Sequence, residues 1–280
     1  MPRISDFILD CVVYLYPSRR AAEAGETRSG GGCGFLVAMP LSIPGYVLIY
    51  VVTNSHVIAS GSRVVAINRK DGSRTFFELT ADSWLHHQDG HDIAVCALGP
   101  SAELHRMEVI GPDIFLTREV MVRRQIGPGT DVFMVGRLIN HEGKQRNTPV
   151  VRFGHLAMNP HEPVRQPKRG FDQESFLIET RSNPGFSGSP VFLYEEPDPS
   201  GIRQAWLLGI DWGHLRGEEE FPARDEFGRE FRVFGSYNTG MSGVVPAWHL
   251  ASLLTEDRRV VAAQAESDEV TRANVERRGP

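Results

Sequence analysis

The segment GFSGSP at residues 185–190 lies between two strand-like runs, residues 175–180 before it and residues 190–194 after it. Its glycines allow a tight turn that presents one serine side chain and leaves neighbouring backbone N–H groups free. A serine hydroxyl is a weak nucleophile by itself, so nucleophilic chemistry needs a histidine base and a carboxylate that orients the histidine. Ser187 is therefore a candidate nucleophile, and the rest of the chain must supply its partners.

Short runs of β-branched and aromatic residues, bounded by Gly, Pro, Asn, Asp or Ser, recur along the chain. The runs are residues 7–16, 34–39, 46–53, 63–68, 75–79, 93–98, 131–138, 150–156, 175–180, 190–194, 205–212 and 231–234. A dozen short strands separated by turn signals are typical of sandwiches and barrels, not of alternating helices and strands. The sequence therefore predicts a mostly β fold.

A segment rich in Gly and Pro, residues 99–129, separates the two sets of strands and is typical of a connector. After Pro246, leucines in residues 247–254 recur at helical spacing and predict a terminal packing helix. Residues 256–280 are charged and Ala-rich, which fits either a marginal helix or a mobile tail. The predicted organisation is a first β unit at 1–110, a connector at 111–129, a second β unit with the helix at 130–255, and a charged tail at 256–280.

Two residues of the first half are candidate partners for Ser187. His56 follows the predicted strand 46–53, and Asp92 begins the predicted strand 92–95, so the order along the chain is His, Asp, Ser with spacings of 36 and 95 residues. Each residue alone also has an ordinary interpretation. Ser187 could simply belong to a turn, His56 could be an ordinary core or surface histidine, and Asp92 could be a local cap. The ordered combination is what indicates catalysis.

Four motifs together resemble the landmark motifs of the trypsin-like, chymotrypsin-fold serine peptidases, in that family's order. They are GCGFLV at 32–37, TNSHV at 53–57, DIAV at 92–95 and GFSGSP at 185–190. Two further segments also resemble this family: LGIDWG at 208–213 its substrate-pairing strand, and residues 238–247 the closing strand and helix of its bacterial heat-shock-protease branch.

The resemblance covers roughly residues 7–255 and implies two packed antiparallel six-stranded β-barrels with a C-terminal helix. The peptide-binding accessory domain that the heat-shock branch often carries is not expected here. The family's mechanism implies that Ser187 attacks a peptide carbonyl, that His56 transfers the proton, and that Asp92 stabilises the imidazolium. The backbone N–H groups of Gly185 and Ser187 would receive the oxyanion, and no cofactor is required.

The same resemblance assigns substrate-binding positions to Arg181, Asp211, Trp212 and Gly213. Gly213 matches the position at which the mouth of the specificity pocket must stay open. Arg181 matches the base of that pocket, where a guanidinium favours acidic substrate side chains. Neutralisation of Arg181 by a nearby acid such as Glu179 or Asp211, or an outward orientation of its side chain, is the alternative.

Phe186 stands where secreted family members often have an aspartate that pairs with a newly cut amino terminus, so we expect no such activation switch. Two interpretations of Phe186 stay open: it holds the turn by packing, or it lets the turn collapse into an inactive shape until substrate binds. The second interpretation leads to an alternative function. In this alternative function, the chain is a binding module that binds protein segments by strand addition along residues 208–213 without cleaving them.

Two other site interpretations fit less of the sequence. An α/β-hydrolase elbow would use Ser187, Asp225 and His249, but it needs a helix directly after the serine, where residues 190–194 are strand-like. The polar residues His86, His87, Asp89 and His91 contain metal-binding side chains. A polar loop leading into the Asp92 strand explains the same residues, so we predict no metal site.

Composition excludes several classes of protein. The 280 residues carry 30 Lys+Arg against 35 Asp+Glu, a formal charge of −5, which disfavours nucleic acid as the main partner. The short basic clusters at residues 118–124 and 165–169 are typical of solvated loops or strand edges and receive no functional weight. We expect a protein or peptide substrate instead.

The three cysteines, Cys11, Cys33 and Cys96, are odd in number and far apart, without a CxxC pair or zinc-ligand spacing. They predict reduced core thiols. The apolar stretch 7–16 is interrupted by an aspartate and lacks a small-residue cleavage site, and the longest aliphatic run, residues 46–52, is too short to span a bilayer. We therefore expect a cytoplasmic protein without a membrane partner.

Overall fold

The structure, a computed structural model, describes residues 4–26, 30–139, 141, 143–194 and 205–278. Seven strands belong to the first half: β1 (Val12–Tyr16), β2 (Gly32–Pro40), β3 (Val47–Thr53), β4 (Val64–Asn68), β5 (Arg74–Glu78), β6 (Leu85–His86) and β7 (Ala94–Leu98). Eight belong to the second half: β8 (Asp131–Gly136), β9 (Val150–Met158), β10 (Val164–Gln166), β11 (Phe171–Gln173), β12 (Phe176–Glu179), β13 (Pro190–Leu193), β14 (Trp206–Arg224) and β15 (Glu230–Pro246).

Helices occur mainly at turns and at the carboxyl end. They are α1 (Asp6–Asp10), α2 (Arg19–Ala24), α3 (Ser55–Ala59), α4 (Arg118–Arg123), α5 (Ala247–Thr255) and α6 (Arg258–Arg278), with short 3₁₀ turns at Ala81–Ser83 and Pro112–Ile114. None of the helices within the described ranges is both long and apolar enough to cross a membrane.

The mostly β, chymotrypsin-like fold predicted from the sequence is confirmed, with one difference in the first half. Six strands of the second half close into a barrel in the order β12-β15-β14-β13-β8-β9, as predicted. The first half is a seven-stranded antiparallel sheet in the order β5-β4-β1-β2-β3-β7-β6, and among its described residues β5 and β6 do not pair. The added strand is the two-residue β6, which pairs with the start of β7.

One hydrophobic cluster extends through both halves, because inward side chains of β1, β2 and β3 continue into those of β8, β13 and β14. A second, smaller cluster covers the other face of the first sheet. The connector takes part as well, since Leu116 N–H donates to the Leu207 carbonyl on β14 at 3.0 Å. Continuous burial of this kind fixes the halves against each other, which a site assembled from both halves requires.

Two local predictions change in the structure, and the charged tail takes the helical one of its two predicted alternatives. Residues 7–16 divide into α1, which Ser5 caps by accepting the Phe7 N–H, and the strand β1. Residues 118–124 contain the helix α4, which Thr117 caps, rather than a loop or strand edge. The charged tail forms the helix α6, and Asp268 on it accepts the Ser42 N–H at 2.8 Å. The predicted helix after Pro246 is present as α5, and all three cysteines are free and buried.

Candidate active site

His56 lies in the first turn of α3, directly after β3, and contacts Asp92 twice. Its ring Nδ1 lies 2.7 Å from Asp92 Oδ2. Its backbone N–H donates to Asp92 Oδ1 at 3.0 Å. The Asp92 side chain is 1% exposed whereas the His56 side chain is 34% exposed. The imidazole is therefore oriented by a buried carboxylate while its other side stays accessible.

The segments that carry these two residues are tied together by neighbouring side chains. Asn54 Nδ2 donates to the Asp92 carbonyl at 2.8 Å, and Ser55 Oγ donates to the Ile93 carbonyl at 2.9 Å. These bonds join the end of β3 to the start of β7, which are adjacent strands of one sheet. The motif TNSHV therefore supplies both the histidine and the contacts that hold its carboxylate partner.

Asp92 is kept ionised by its surroundings. Burial by itself would raise the pKa of Asp92, but the hydrogen bonds and charge of His56, together with the charge of Arg169, outweigh burial and lower that pKa. A negatively charged carboxylate at this place holds the ring proton on Nδ1 and leaves Nε2 free to accept a proton.

Ser187 is a central residue in the second of two consecutive tight turns, within the segment GFSGSP. Phe186 N–H donates to the Asn183 carbonyl at 3.2 Å, and Ser189 N–H donates to the Phe186 carbonyl at 2.8 Å. Gly185 and Gly188 have φ of +99° and +89°, a conformation that favours glycine. Ser187 itself is half-buried, and its hydroxyl donates to the Trp212 carbonyl at 3.3 Å.

This turn packs directly against the first half. Cys33 N–H on β2 donates to the Ser187 carbonyl at 2.8 Å. A Cβ added at Gly188 would overlap the Cys33 carbonyl and the Thr53 hydroxyl. A Cβ at Gly32 would meet the Val57 side chain at 2.9 Å and the Ser187 carbonyl at 3.0 Å. The structure thus brings Ser187 to the segment that carries His56, and the glycines are what permit the approach.

The backbone N–H groups of Gly185 and Ser187 have no hydrogen-bond acceptor among the described residues. A collapsed turn would pair the Ser187 N–H with the carbonyl three residues earlier, at Pro184, and that bond is not formed within the described part of the chain. Two unpaired donors beside a serine hydroxyl are what a developing oxyanion requires.

Phe186 explains why the turn keeps this shape. Its side chain is completely buried in the main hydrophobic cluster. The ring lies so close to Gly136 on β8 that a Cβ there would approach it to 2.7 Å, and the Arg152 guanidinium carbon lies 5.1 Å from the ring centroid. Of the two interpretations left open by the sequence, packing that holds the turn is the one that this geometry supports.

Trp212 and Gly213 line the approach to Ser187. The Trp212 carbonyl accepts the Ser187 hydroxyl, and its indole Nε1 donates to Ser175 Oγ at 3.0 Å. At Gly213, where φ is +142°, the nearest atom to an added Cβ would be Ser187 Oγ at 4.0 Å. A side chain at this position would stand beside the hydroxyl, so its absence keeps the approach open.

Asp211 lies behind the site instead of in an open cleft. Its backbone pairs with the nucleophile turn, since Gly188 N–H donates to the Asp211 carbonyl at 2.8 Å and Asp211 N–H to the Ser189 carbonyl at 2.9 Å. Its carboxylate is fully buried and accepts hydrogen bonds from Ser182 and Ser242. Asp211 therefore braces the turn, and its side chain is not placed to meet a substrate.

Burial raises the pKa of Asp211 to about 6, although the two serine hydrogen bonds oppose the shift. The folded chain then binds this proton more tightly than the unfolded chain does. The contribution of the bound proton to folding stability is therefore present at low pH and is lost as pH rises through about 6. We expect Asp211→Asn to raise the free energy of unfolding at pH 8 by about 2–3 kcal/mol and to change it little at pH 4. Urea unfolding of the wild type and of Asp211→Asn at pH 4 and pH 8 measures this change in unfolding free energy.

The exposed carboxyl in Asp82→Asn provides the control for that experiment. It should leave the difference in unfolding free energy between pH 4 and pH 8 as it is in the wild type. Equal destabilisation by Asp211→Asn at both pH values would contradict the assignment of a buried, charged Asp211.

Arg181 is exposed and lines a cavity of about 1320 Å³ at one end of the second barrel. Arg152, His155, Glu179 and Asn238 also line it, whereas Ser187 and Gly213 do not. Among the described residues, the lining of this cavity thus includes Arg181 but none of the other predicted site residues. Its role in substrate preference stays a prediction.

Sequence reasoning missed two residues that contact Asp92. Gln173 Oε1 accepts the Asp92 N–H at 2.9 Å, and Arg169 Nη1 lies 3.8 Å from Asp92 Oδ1. Arg169 belongs to the basic cluster 165–169, which received no functional weight. Both contacts join residues of different halves, and no local pattern in the sequence signals such a contact.

The histidines preceding Asp92 pack against α5. The rings of His91 and His249 lie 3.5 Å apart between centroids, and those of His87 and His91 lie 4.8 Å apart. His249 Nε2 lies 2.9 Å from Glu174 Oε2. Burial lowers the pKa of His91 to about 4, so this ring is neutral at neutral pH. In the described ranges, no group of three or more metal-ligating side chains is arranged to hold an ion.

The residues of the hydrolase-elbow alternative are engaged elsewhere. Asp225 lies near the tip of the β14–β15 hairpin and pairs with Arg229 at 2.7 Å. His249 pairs with Glu174, as described above. The residues after Ser187 form the strand β13 rather than a helix, as the sequence predicted.

Comparison with known proteins gives a match to a family model and a similar solved structure. Residues 32–197, more than half of the chain, match the family model of a trypsin-like peptidase domain. No curated protein matches the chain. Among solved structures, one described as "Atomic resolution structure of HBP" is similar, with a TM-score of 0.48 and 11% sequence identity over 90% of this chain and 93% of that chain.

Proposed function

The chain belongs to the trypsin-like peptidase family, and from this premise we propose that it is a serine endopeptidase whose catalytic residues are Ser187, His56 and Asp92. Membership of the family implies protein or peptide substrates. The observation that carries the proposal is the contact between the nucleophile turn and the segment of the oriented His56–Asp92 pair, made across Gly32 and Gly188.

The proposed mechanism follows from these positions. The Ser187 hydroxyl leaves the Trp212 carbonyl, gives its proton to His56 Nε2 and attacks the substrate carbonyl, which forms a tetrahedral intermediate; this collapses to the acyl-enzyme when the C–N bond breaks and the amine departs. The N–H groups of Gly185 and Ser187 stabilise the oxyanion, and Asp92 stabilises the imidazolium. His56 then protonates the leaving amine, and water hydrolyses the acyl-enzyme by the same steps. Catalytic hydrogen bonds often tighten only when substrate binds.

A fluorophosphonate probe tests the proposal directly, because it reacts with a serine only where a base and an oxyanion site activate it. We expect the folded wild type to be labelled at Ser187 and to cleave members of a position-scanning peptide library, read by mass spectrometry. The cleavage sites also show which substrate side chain is preferred at the residue before the cleaved bond. A folded wild type that is unlabelled and binds peptides without releasing product would contradict the proposal.

The substitution Asp92→Asn tests the role of the buried carboxylate. The neutral amide that it introduces does not accept the Nδ1–H hydrogen bond as a carboxylate does and does not stabilise the imidazolium, so we expect kcat to fall by about 10⁴-fold. The measurement is hydrolysis of the best library peptide at neutral pH. Asp82→Asn, at an exposed carboxyl, should leave kcat unchanged. A fall of less than about tenfold in folded Asp92→Asn would remove Asp92 from the mechanism.

A further inference from the structure

Asp92 is held by both halves of the molecule. From the first half, His56 contacts its carboxylate and Asn54 contacts its carbonyl. From the second half come Gln173 and Arg169, both on the β10–β11 hairpin, which forms a separate two-stranded sheet. Gln173 satisfies the Asp92 N–H at 2.9 Å, and the Arg169 guanidinium lies beside Oδ1 at 3.8 Å.

The Arg169 side chain is fixed in several directions. Nη2 donates to the Gly90 carbonyl at 2.9 Å, and Nη1 donates to Gln166 Oε1 at 3.1 Å. The guanidinium carbon lies 5.2 Å from the centroid of the Phe171 ring. A planar guanidinium held in this way loses little further freedom when it contacts a carboxylate. The hairpin therefore presents a preorganised cation to a carboxylate that is 1% exposed.

Gln173 links the hairpin to the residue before Asp92 as well. Its Nε2 lies 2.8 Å from His91 Nδ1 and donates to the Glu174 carbonyl at 2.9 Å. The Gln173 side chain is completely buried, so both ends of its amide are used inside the protein. Its orientation is thereby set, and its Oε1 is directed at the Asp92 N–H.

We propose that the β10–β11 hairpin is a clamp by which the second half orients Asp92 against His56, with Arg169 and Gln173 as positioning residues. The inference rests on the proposed function. Ser187 belongs to the second half and the His56–Asp92 pair to the first, so a small shift between the halves would misalign them. The clamp ties the carboxylate to the half that carries the nucleophile. Misplacement of reacting groups by about 1 Å is enough to cost roughly 100-fold in rate.

Several charged and titratable groups surround this pair. Arg169 faces Asp92 from the hairpin, and Asp211 lies within electrostatic range of His56 from β14. His86 on β6 contacts Ser55 at 2.9 Å and interacts electrostatically with both Asp92 and Arg169. Of these, Arg169 is the cation nearest to the carboxylate, and its charge contributes to the lowered pKa of Asp92.

The test compares Arg169→Gln with Arg165→Gln. Arg165 lies on the same hairpin, is exposed and pairs with Asp172 at 3.1 Å, so it provides a matched control. We expect Arg169→Gln to lower kcat by roughly tenfold or more with KM within about twofold. Arg165→Gln should change neither quantity.

A second variant separates the positioning role of Arg169 from the effect of its charge alone. Arg169→Lys keeps the charge but not the planar fork that donates to Gln166 and to the Gly90 carbonyl, so we expect its kcat to be reduced as well. An unchanged kcat in folded Arg169→Gln, or a wild-type kcat in Arg169→Lys, would overturn the proposal.

A second readout does not depend on hydrolysis. The Nδ1 proton of His56, held against Asp92, should give a downfield proton NMR signal in the wild type. We expect this signal to move, or to broaden through faster exchange, in Arg169→Gln and in Gln173→Leu. Arg165→Gln should keep the wild-type signal. If the wild type cleaves nothing, the proposed function fails while this comparison still decides the clamp. Identical signals in all variants would overturn the clamp.

Discussion

Replacing Ser187 by alanine is expected to lower peptide hydrolysis by about 10⁴- to 10⁶-fold while the fold persists. The proposed chemistry passes through the Ser187 oxygen, so no neighbouring group can replace it. The hydroxyl contributes little to stability, because it is half-buried and makes one long hydrogen bond, 3.3 Å to the Trp212 carbonyl. Turnover of the best library peptide, together with fluorophosphonate labelling, measures the effect.

Ser236→Ala is the matched control, since Ser236 is exposed on β15, far along the hairpin from Trp212. It should retain wild-type turnover and labelling. Circular dichroism and the urea midpoint should be the same for both variants. Labelling or turnover that survives in folded Ser187→Ala would show that another residue is the nucleophile.

Phe186→Ala is expected to lower stability and activity together. Its ring is completely buried against Gly136 and Arg152, so truncation leaves a cavity and should cost about 3–5 kcal/mol of unfolding free energy. The ring also anchors the turn between the Gly185 and Ser187 N–H groups. We expect kcat to fall by about 100-fold, comparable to the loss of one oxyanion donor, with a smaller change in KM.

Urea unfolding and steady-state kinetics measure these two effects separately. Phe234→Ala removes an aromatic ring that is 75% exposed on the β14–β15 hairpin, and it should change stability by less than about 0.5 kcal/mol. Phe186→Leu fills part of the cavity and should restore part of both losses. Wild-type kcat in folded Phe186→Ala would mean that the turn keeps its shape without the ring.

The predicted catalytic residues came from local motifs whose order and spacing match a family. The histidine follows a strand end, the aspartate begins a strand, and the serine lies among glycines, so each is visible in a window of a few residues. The structure places His56 and Asp92 in contact, and it brings the Ser187 turn against β2 and β3. The mostly β fold was predictable for the same reason, since strand runs and turn residues are local signals.

Other site residues could not be found in this way. Arg169 and Gln173 reach Asp92 only because the hairpin of one half folds onto the other half, and a basic cluster in sequence looks the same whether it faces water or a carboxylate. Asp211 is itself one of the predicted substrate-binding residues, yet its side chain is buried behind the strand. Alternation along β14 and its bulge near Asp211 set that orientation, and neither can be deduced from a short window.

The amino-acid sequence by itself determined the chemistry that is available to this protein, because a serine in a glycine turn, a histidine after a strand and an aspartate before one are each encoded within a few residues. The tertiary structure alone decided how those groups are oriented and supported. Contacts between distant residues depend on the packing of the two halves, as in the closeness of Gly188 to Cys33 and Thr53 and of Arg169 to Asp92. Packing is a property of the whole folded chain, so it has no signature in any single segment.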